Sequence, residues 1–470
     1  MNEQPLSTAT IFDADLVRRY DRPGPRYTSY PTAVQFHAGF GVAEYEAAAR
    51  ASNSGSPKPL SIYIHVPFCE SPCFYCGCNK VITRDHGRAH AYLEHLFLEI
   101  ERQGALFDRS RQVDQLHFGG GTPTFLSDDE LIAVLAKLRE HFTLRDDPDR
   151  EYSIEIDPRT VSVARLGTLA ALGLNRISLG VQDFDPEVQK AVNRIQSCED
   201  TLALITRARE LTIDSVSIDL IYGLPRQSRT SFARTLETVI AARPDRIAAY
   251  SYAHLPHLFK PQKQIKVADL ITPAEKLGLL GLTVETLTRT GYVYIGMDHF
   301  ALPTDELVRA QANGTLQRNF QGYSTRKECD LVALGVSSIS KVGDTYAQNA
   351  KSLPEYYKRI NAGSLAIERG VALDAEDRLR RDVIQQLMCA TRLEFGAIEQ
   401  RHGIRFEEHF ADELERVKPL EADDLVAREG RSLRITARGR LLMRNVAMVF
   451  DAHLKKAAPA ADQPRFSRAV

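Results

Sequence analysis

Four cysteines, Cys69, Cys73, Cys76 and Cys78, lie within ten residues of the chain. Their spacing is C-x3-C-x2-C-x-C, and it directly follows an alternating β-type run that ends at His65-Val66-Pro67. Three thiolates on one loop can hold three corners of a cubane iron-sulfur cluster and leave the fourth iron without a protein ligand. Because an open iron can bind a substrate or cofactor, the spacing favours cluster-based chemistry over simple electron relay.

Two plainer interpretations of the cysteines fit less well. A structural zinc site usually combines two separated C-x2-C or C/H pairs, and the sequence has no second pair. A disulfide framework is disfavoured because seven cysteines in 470 residues are sparse and odd in number. The remaining three, Cys198, Cys329 and Cys389, are expected to be small buried apolar groups.

Strand-like and helix-like segments alternate after the first sixty residues. The predicted strands cover 61–67, 113–119, 152–157, 176–182, 215–221 and 246–252. Apolar residues with a 3.6-residue period, as in DDELIAVLAKLREHF, indicate helices between them. Strands that are joined by helical crossovers run parallel, and such crossovers are right-handed. We therefore predict an α/β fold with a partial, open (βα)6 barrel.

Charge and hydropathy exclude several classes of partner. The chain has 60 Lys and Arg against 61 Asp and Glu, so its net charge of −1 gives no electrostatic reason to expect nucleic acid or a membrane. The N-terminal twenty residues are polar and acidic, and no run of eighteen apolar residues occurs. We expect a cytoplasmic protein, since reducing conditions suit thiolate ligands.

Polar and glycine residues follow all six predicted strands, at the edge where α/β barrels carry functional groups. In strand order they are Cys69 to Cys78, Gly119 to Thr122, Glu155 with Asp157, Gln182, Asp219, and Tyr252 with Ala253. Packing requirements alone do not produce such a coincidence. We therefore expect the functional site at this end of the barrel.

Longer strings add a family resemblance. The cysteine spacing after a strand resembles the radical S-adenosylmethionine (SAM) superfamily, and YIHVPFC followed by CFYCGCNK is similar to the oxygen-independent coproporphyrinogen III oxidase family. Further matches occur in the same order almost from end to end: PGPRYTSYPT at 23–32, HFGGGTPT at 117–124, SIEIDPR at 153–159, GVQDF at 180–184, SIDLIYGLP at 217–225, YAHLP at 252–256, GMDHFA at 296–301 and NFQGYST at 319–325.

This resemblance implies a reaction, cofactors and partners. The cofactors would be a [4Fe-4S] cluster and SAM, in two molecules. The reaction would be radical oxidative decarboxylation of two propionate side chains of coproporphyrinogen III to vinyl groups, giving protoporphyrinogen IX in anaerobic haem biosynthesis. The implied partners are coproporphyrinogen III, an unidentified electron donor and an unidentified electron acceptor.

The resemblance also assigns the cysteines. Cys69, Cys73 and Cys76 are expected to ligate the cluster. A fourth thiolate from Cys78 would close the cluster, whereas chelation by SAM needs an open iron. We therefore expect Cys78 to be a pocket residue, catalytic together with Tyr63.

Other positions are expected to bind SAM. The glycine run would let backbone groups approach the methionyl amine and carboxylate of SAM, although glycines also fit a bare turn. Glu155 could accept two hydrogen bonds from ribose hydroxyls, and Arg194 could neutralise a carboxylate bidentately. By resemblance the set is Tyr63, Tyr75, Cys78, Gly120, Gly121, Thr122, Glu155, Gln182, Arg194, Asp219, Ala253, Gln321 and Ile339. Arg26 and Arg318 are candidates for the substrate carboxylates on motif position alone.

Four regions are expected. They are an N-terminal arm or lid over 1–57, a radical SAM partial barrel over 58–256, a barrel extension and substrate cap over 257–372, and a mostly helical C-terminal domain over 373–470. The pattern of the last region is similar to a winged helix. The acidic count argues against DNA binding by it.

Two other functions share the cluster and the barrel. A haem-binding chaperone of the same superfamily usually lacks both the fourth cysteine and the RYTSYPT arm, and this sequence has both. A radical SAM methyltransferase of haem breakdown should lack the arm or the C-terminal domain.

Overall fold

The computed structural model describes residues 9–326 and 329–456. Residues 1–8 of the predicted arm and 457–470 of the predicted C-terminal domain lie outside the described residues, as do 327 and 328.

Six parallel strands form the centre of the fold, and each predicted strand boundary agrees with the structure to within one residue. They are β1 (Leu60–Val66), β2 (Gln112–Gly120), β3 (Glu151–Ile156), β4 (Arg176–Gln182), β5 (Ser215–Tyr222) and β6 (Arg246–Ser251). The strands neighbour one another in chain order, and every neighbouring pair is parallel. The predicted α/β fold with six βα units is confirmed.

Helices return the chain between these strands, as the apolar periodicity predicts. They are Gly87–Gly104, Asp128–His141, Val163–Ala171, Pro186–Ala191, Cys198–Glu210 and Arg229–Ala242. The second of them begins with a capping box in which Ser127 and Glu130 satisfy each other's backbone N–H groups. All six carboxyl ends of the strands consequently meet at one edge of the sheet.

Strands from the region after residue 257 extend the sheet at both sides, and the sheet stays open. Beyond β6 lie the antiparallel strands β7 (Val293–Gly296) and β8 (His299–Ala301). A seventh parallel strand, β9 (Asp330–Leu334), pairs with β1 and leads into antiparallel β10 (Ile339–Val342), β11 (Thr345–Asn349) and β12 (Ile367–Ala372). These strands widen the sheet on both sides. With the two-residue strand Thr143–Leu144, which pairs with β2, the sheet has thirteen strands among the described residues.

Shorter elements surround this sheet. Before the barrel lie the helices Ala14–Tyr20 and Val42–Ala51, and after it lie Pro273–Arg289, Glu306–Ala312 and Leu353–Asn361. The last part contains the helices Ala375–Gln385, Phe395–His402, Phe406–His409, Ala411–Ala422, Met443–Val449 and Ala452–Lys456, a π-helical turn Gln386–Ala390, and a small antiparallel sheet of Arg392–Glu394, Val426–Arg428 and Ser432–Ile435. Across the described residues, no helix is both long and apolar enough to cross a membrane.

The N-terminal arm packs against the C-terminal helices. The Tyr27 hydroxyl, fully buried, donates to Asp451 Oδ2 at 2.9 Å, and the Tyr20 hydroxyl donates to Asp423 Oδ2 at 2.5 Å. Asn445 Nδ2 donates to the Tyr20 carbonyl at 2.8 Å. The first and last described parts of the chain therefore hold each other in place.

Candidate active site

The four clustered cysteines lie on a closed loop at the carboxyl end of β1. Two short parallel strands, Phe68–Cys69 and Val81–Ile82, bring the two ends of this loop together. All four thiols are free, Cys73 is buried, and Cys78 is exposed. The loop therefore presents several sulfur atoms without any disulfide.

A cavity of about 340 Å³ lies between this loop and the ends of the neighbouring strands. It brings together twelve of the sixteen predicted site residues: Cys69, Cys73, Tyr75, Cys76, Cys78, Gly120, Gly121, Thr122, Glu155, Gln182, Arg194 and Asp219. These residues come from five strand ends that are far apart in sequence. We call this space the cysteine cavity.

The other four predicted residues lie outside the lining. Tyr63 stacks on His117 with ring centroids 5.7 Å apart. Tyr63 and Glu155 both lie about 3 Å from the place that a Cβ on Gly119 would take. Gln321 lines an adjoining barrel-interior cavity of about 160 Å³ that shares Glu155 and Asp219 with the cysteine cavity. Ile339 packs against an apolar cluster with Phe36 and lines neither cavity.

Ala253 is tied to the cysteine loop through Gln262, which the sequence analysis missed. The buried Gln262 amide donates to the Ala253 carbonyl at 3.1 Å and to the Tyr75 carbonyl at 2.9 Å. Its Oε1 accepts a hydrogen bond from Leu255 N. One buried amide therefore joins the end of β6 to the cysteine loop. None of the motif strings in the sequence includes Gln262.

The glycine run is required by close packing. A Cβ on Gly121 would lie 2.8 Å from the carbonyl oxygens of Pro67 and Phe68, and Gly120 has φ +116°. The Gly121 and Thr122 N–H groups donate to the Val66 and Phe68 carbonyls, each at 2.8 Å. The run therefore locks β2 onto the start of the cysteine loop.

Glu155 keeps part of its hydrogen-bonding capacity free. Its Oε2 accepts from Gly120 N at 3.1 Å, and its Oε1 lies 3.3 Å from His117 Nε2. The side chain is still 44 % exposed toward the cavity. His117, a second missed residue, also contacts Ser153 Oγ at 2.5 Å, so it fixes the orientation of the carboxylate. His117 begins the HFGGGTPT string, and that string was the available signal in the sequence.

An ion-pair network surrounds Cys73. Arg194 Nη1 lies 3.3 Å from Cys73 Sγ and 3.1 Å from Asp157 Oδ2, and Arg159 Nη2 lies 3.6 Å from the same sulfur. Burial opposes ionisation of Asp157, but Arg194 and Arg159 outweigh it and lower the pKa of this carboxyl. Two cations held by one aspartate thus face a single thiol.

The sequence pattern placed Asp157 with Glu155 at the end of a predicted strand, but neither Asp157 nor Arg159 was given a role. Asp157 directly follows β3, two residues after Glu155, and this alternation was the signal that both face the same side.

Asp219 is a half-buried acid that lines both the cysteine cavity and the barrel-interior cavity. Burial first, and then the negative charge of Glu155, raise its pKa to about 7, while Ser178 Oγ donates to it at 3.3 Å. This carboxyl can therefore hold a proton near neutral pH.

The residues present fit a [4Fe-4S] cluster. Within residues 9–326 and 329–456, no three His, Cys, Asp or Glu side chains are close enough to hold a single metal ion. That does not count against a cluster, because its thiolates bind different iron atoms. Cys69, Cys73 and Cys76 border one cavity, and Arg159 and Arg194 supply positive charge beside them. Their chemistry suits a negatively charged cluster.

The lone cysteines differ from one another. Cys329 and Cys389 are buried, as predicted. The prediction that Cys198 is buried is wrong, because it is the first residue of the helix Cys198–Glu210 and remains half-exposed there.

Known proteins are similar to this chain over nearly its whole length. The model of the Radical SAM superfamily matches residues 63–239, and that of the HemN C-terminal domain matches 373–442. The oxygen-independent coproporphyrinogen III oxidase of Pseudomonas aeruginosa is 51% identical over 459 residues, covering 98% of this chain and 99% of the relative. The Escherichia coli protein of the same name is 46% identical over 460 residues, covering 98% of each chain.

A solved structure matches over nearly the whole chain. The coproporphyrinogen III oxidase (HemN) of Escherichia coli, described as a radical SAM enzyme, superimposes with a TM-score of 0.90 at 46% identity. The match covers 95% of this chain and 100% of that one. Family membership implies a [4Fe-4S] cluster and SAM as cofactors. The chain belongs to the oxygen-independent coproporphyrinogen III oxidase family, whose members are radical SAM enzymes.

Proposed function

We propose that the chain oxidatively decarboxylates two propionate side chains of coproporphyrinogen III to vinyl groups, giving protoporphyrinogen IX in anaerobic haem biosynthesis. The single observation that carries this proposal is the cysteine cavity, where three free thiols face a carboxylate and two arginines. The relatives' shared name supplies the substrate.

The chemistry depends on the bound cofactors. When bound, the cluster and SAM supply one-electron chemistry that removes a hydrogen atom from the propionate β-carbon, after which carbon dioxide and one electron leave. An unidentified electron donor would supply the electron that the reaction consumes, and an unidentified electron acceptor would take the electron that it releases. The free thiols favour a reducing compartment, and we propose a cytoplasmic location for this activity.

The chain's own residues hold and orient the reactants. Cys69, Cys73 and Cys76 would hold three irons, and Cys78 would line the pocket without ligating. Glu155, oriented by His117, would accept hydrogen bonds from a ribose, while Tyr63 packs behind it. Asp219 would add no negative charge while it holds its proton.

Two SAM molecules are part of the proposal. The cysteine cavity and the barrel-interior cavity share Glu155, Ser178 and Asp219, so the two cavities adjoin. Gln321 lines the second of these cavities. Ala253 and Ile339 belong to the SAM pockets by resemblance. Tyr75, Gly120, Gly121, Thr122, Gln182 and Arg194 would complete the SAM pockets from the cysteine side.

The two arginine candidates for the substrate carboxylates differ in their partners. Arg26 Nη2 already pairs with Asp298 Oδ2 at 2.5 Å. Arg318 is only 5% exposed, and its Nη1 is a buried donor that has no hydrogen-bond partner among the described residues. Arg318 therefore keeps a donor available for an anion, but it lines a different cavity from the cysteines, so its position does not support contact with a substrate at the cysteine cavity. As a separate proposal, the arm ends at residue 57, the barrel at 256 and the cap at 372, and the C-terminal domain follows.

One experiment separates the three functions considered. Reconstituted protein is incubated without oxygen with SAM, a reductant and coproporphyrinogen III, and a parallel sample is titrated with haem. The proposal predicts conversion to protoporphyrinogen IX by chromatography. Stoichiometric haem binding without turnover would support the chaperone, and a methylated tetrapyrrole would support the methyltransferase.

A further inference from the structure

A third cavity, of about 500 Å³, lies at the other end of the barrel. Ser61, near the amino end of β1, lines it, whereas the cysteines follow the carboxyl end of the same strand. At the usual rise per residue, Ser61 and Val66, the last residue of β1, are about 16 Å apart. The cavity shares no lining residue with the cysteine cavity, and we call it the basic cavity.

Several parts of the chain meet there. Thr28 comes from the arm and Lys341 from β10. Arg318 comes from the hairpin of Gln317–Asn319 and Gly322–Ser324, and Arg381 comes from the helix Ala375–Gln385. The π-helical turn Gln386–Ala390 forms another wall, and π-turns are frequent at functional sites. Ligand sites prefer such junctions between parts of a fold.

Buried donors in this cavity lack acceptors. Arg318 Nη1 and Arg381 Nη1 are both buried, and neither has a hydrogen-bond partner among the described residues. Such a group costs free energy unless something accepts its hydrogen bond. Because Arg318 is only 5% exposed, bulk water does not readily supply that acceptor.

The charges of the lining are unbalanced. Besides Lys58, five Lys and Arg side chains among the described residues line the cavity with two aspartates, Asp344 and Asp382, which leaves an excess of three positive charges. Arg381 lies 3.3 Å from Asp344 and 3.8 Å from Asp382. Arg378 also pairs with Asp344, and Arg401 also pairs with Asp382. Each carboxylate is therefore shared by more than one cation.

Lys341 has no salt-bridge partner in the part of the chain that the structure describes. The nearby Asp330 is held by Arg111 at 2.6 Å, with both side chains buried. Burial first, and then Arg381, lower the pKa of Lys341 to about 8. The protein therefore keeps like charges together at a cost, which is typical of a binding site for an anion.

The rest of the lining fits an organic anion. Phe320, Leu316 and Leu331 add apolar side chains to the lining, and the ring of Tyr346 lies among them. The volume lies within the range of sites for small organic ligands. An inorganic ion would leave these apolar side chains unused.

We propose that the basic cavity is a second ligand site, which binds an organic polycarboxylate with an apolar body, namely a tetrapyrrole. Its carboxylates would pair with Lys341, Arg318 and Arg381, and its ring would lie against the apolar side chains of the lining. The choice of a tetrapyrrole rests on the proposed function, but the cationic site itself does not.

The test counts binding sites with coproporphyrin III, the stable fluorescent form of the substrate, by equilibrium dialysis against the full-length holoenzyme. The wild type should bind two equivalents, one in each site, and Lys341→Met should bind one, with affinity for the lost site weakened about tenfold or more. The tetramethyl ester, which has no carboxylate charge, should not occupy the site. Exposed Lys418→Met is the matched control and should bind like the wild type.

Thermal unfolding distinguishes a binding role from a structural one. Lys341→Met removes a like charge, so its Tm should stay the same or rise, and a purely structural lysine would lower it. An unchanged second equivalent in Lys341→Met, or equal binding of the ester, would overturn the inference. Failure of the proposed function looks different: the wild type would then bind one equivalent and Lys341→Met none.

Inorganic phosphate is the last ligand to be tested. If phosphate bound in the basic cavity and coproporphyrin III did not displace it, the site would be for an inorganic anion, and the tetrapyrrole assignment would be overturned.

Discussion

At the scale of single residues, Asp157 supports much of the site's electrostatics. It is the partner of both Arg194 and Arg159, which face the sulfur of Cys73. Arg194 is almost completely buried, so it depends on this one carboxylate for charge compensation. Two cations without a counter-ion are expensive in such an environment.

We therefore predict that Asp157→Asn destabilises the cofactor-free protein by about 3 kcal/mol. Asparagine keeps the shape but removes the charge, which leaves Arg194 buried and uncompensated. Urea unfolding is the measurement, with Asp147→Asn as the control, because Asp147 is exposed and should change stability by less than about 0.5 kcal/mol. Equal midpoints for the two variants would contradict this role.

Cys78 gives a second prediction at this scale. Its N–H donates to Cys76 Sγ at 3.4 Å, and its side chain lines the cavity. If Cys78 does not ligate, Cys78→Ser should keep the full iron and sulfide content while losing most decarboxylation. Cys198→Ser, far from the cavity in sequence and on an outer helix, should behave like the wild type.

Paramagnetic resonance supplies the decisive observation for Cys78. The reduced wild-type cluster should respond to SAM, and so should the Cys78→Ser cluster. A wild-type spectrum that ignores SAM and becomes sensitive only after Cys78→Ser would make Cys78 a fourth ligand.

The motif residues could be predicted from the sequence, but a residue that holds the site together from outside the motifs could not. Cys69, Glu155 and Arg194 stand in recognisable strings, so their place in one cavity could be expected. Gln262 acts through hydrogen bonds to the carbonyls of Tyr75 and Ala253, and spacing along the chain does not reveal such contacts.

At the scale of elements, the junction between β2 and the cysteine loop is the tightest point of the site. Gly121→Ala would place a Cβ 2.8 Å from backbone carbonyl atoms, which cannot move aside as a flexible side chain would. We predict a loss of about 1–3 kcal/mol in unfolding free energy, measured by urea unfolding, together with weaker binding of SAM.

A second glycine is the control for this prediction. Gly396 lies in the helix Phe395–His402 and has open space where a Cβ would be, so Gly396→Ala should be neutral or stabilising. Equal stability of the two alanine variants would show that the β2 junction tolerates a side chain.

The elements themselves were predictable to different degrees. The six barrel strands have strong apolar patterns and clear helical partners, and their bounds follow from the sequence. The strand β9 is only five residues long, and all five are buried, so its pattern does not distinguish a strand from a short helical segment. Its place beside β1 depends on tertiary packing.

At the scale of the whole molecule, the arm and the C-terminal helices are one packing unit. Tyr27→Phe would remove the hydroxyl donor to Asp451 Oδ2 in a buried setting. We predict a loss of about 1–2 kcal/mol, measured by urea unfolding. Tyr357→Phe is the control, because the Tyr357 hydroxyl has no hydrogen bond within the described ranges, and a similar loss in both variants would argue against a specific tie.

The central claim is that hydrogen is removed from a propionate β-carbon by SAM-derived chemistry. The most direct measurement uses coproporphyrinogen III deuterated at those carbons, in an anaerobic reaction with the reconstituted wild type. We predict that deuterium appears in 5'-deoxyadenosine, with methionine and a vinyl porphyrinogen as the other products. Unlabelled 5'-deoxyadenosine, or S-adenosylhomocysteine with a methylated tetrapyrrole, would contradict it.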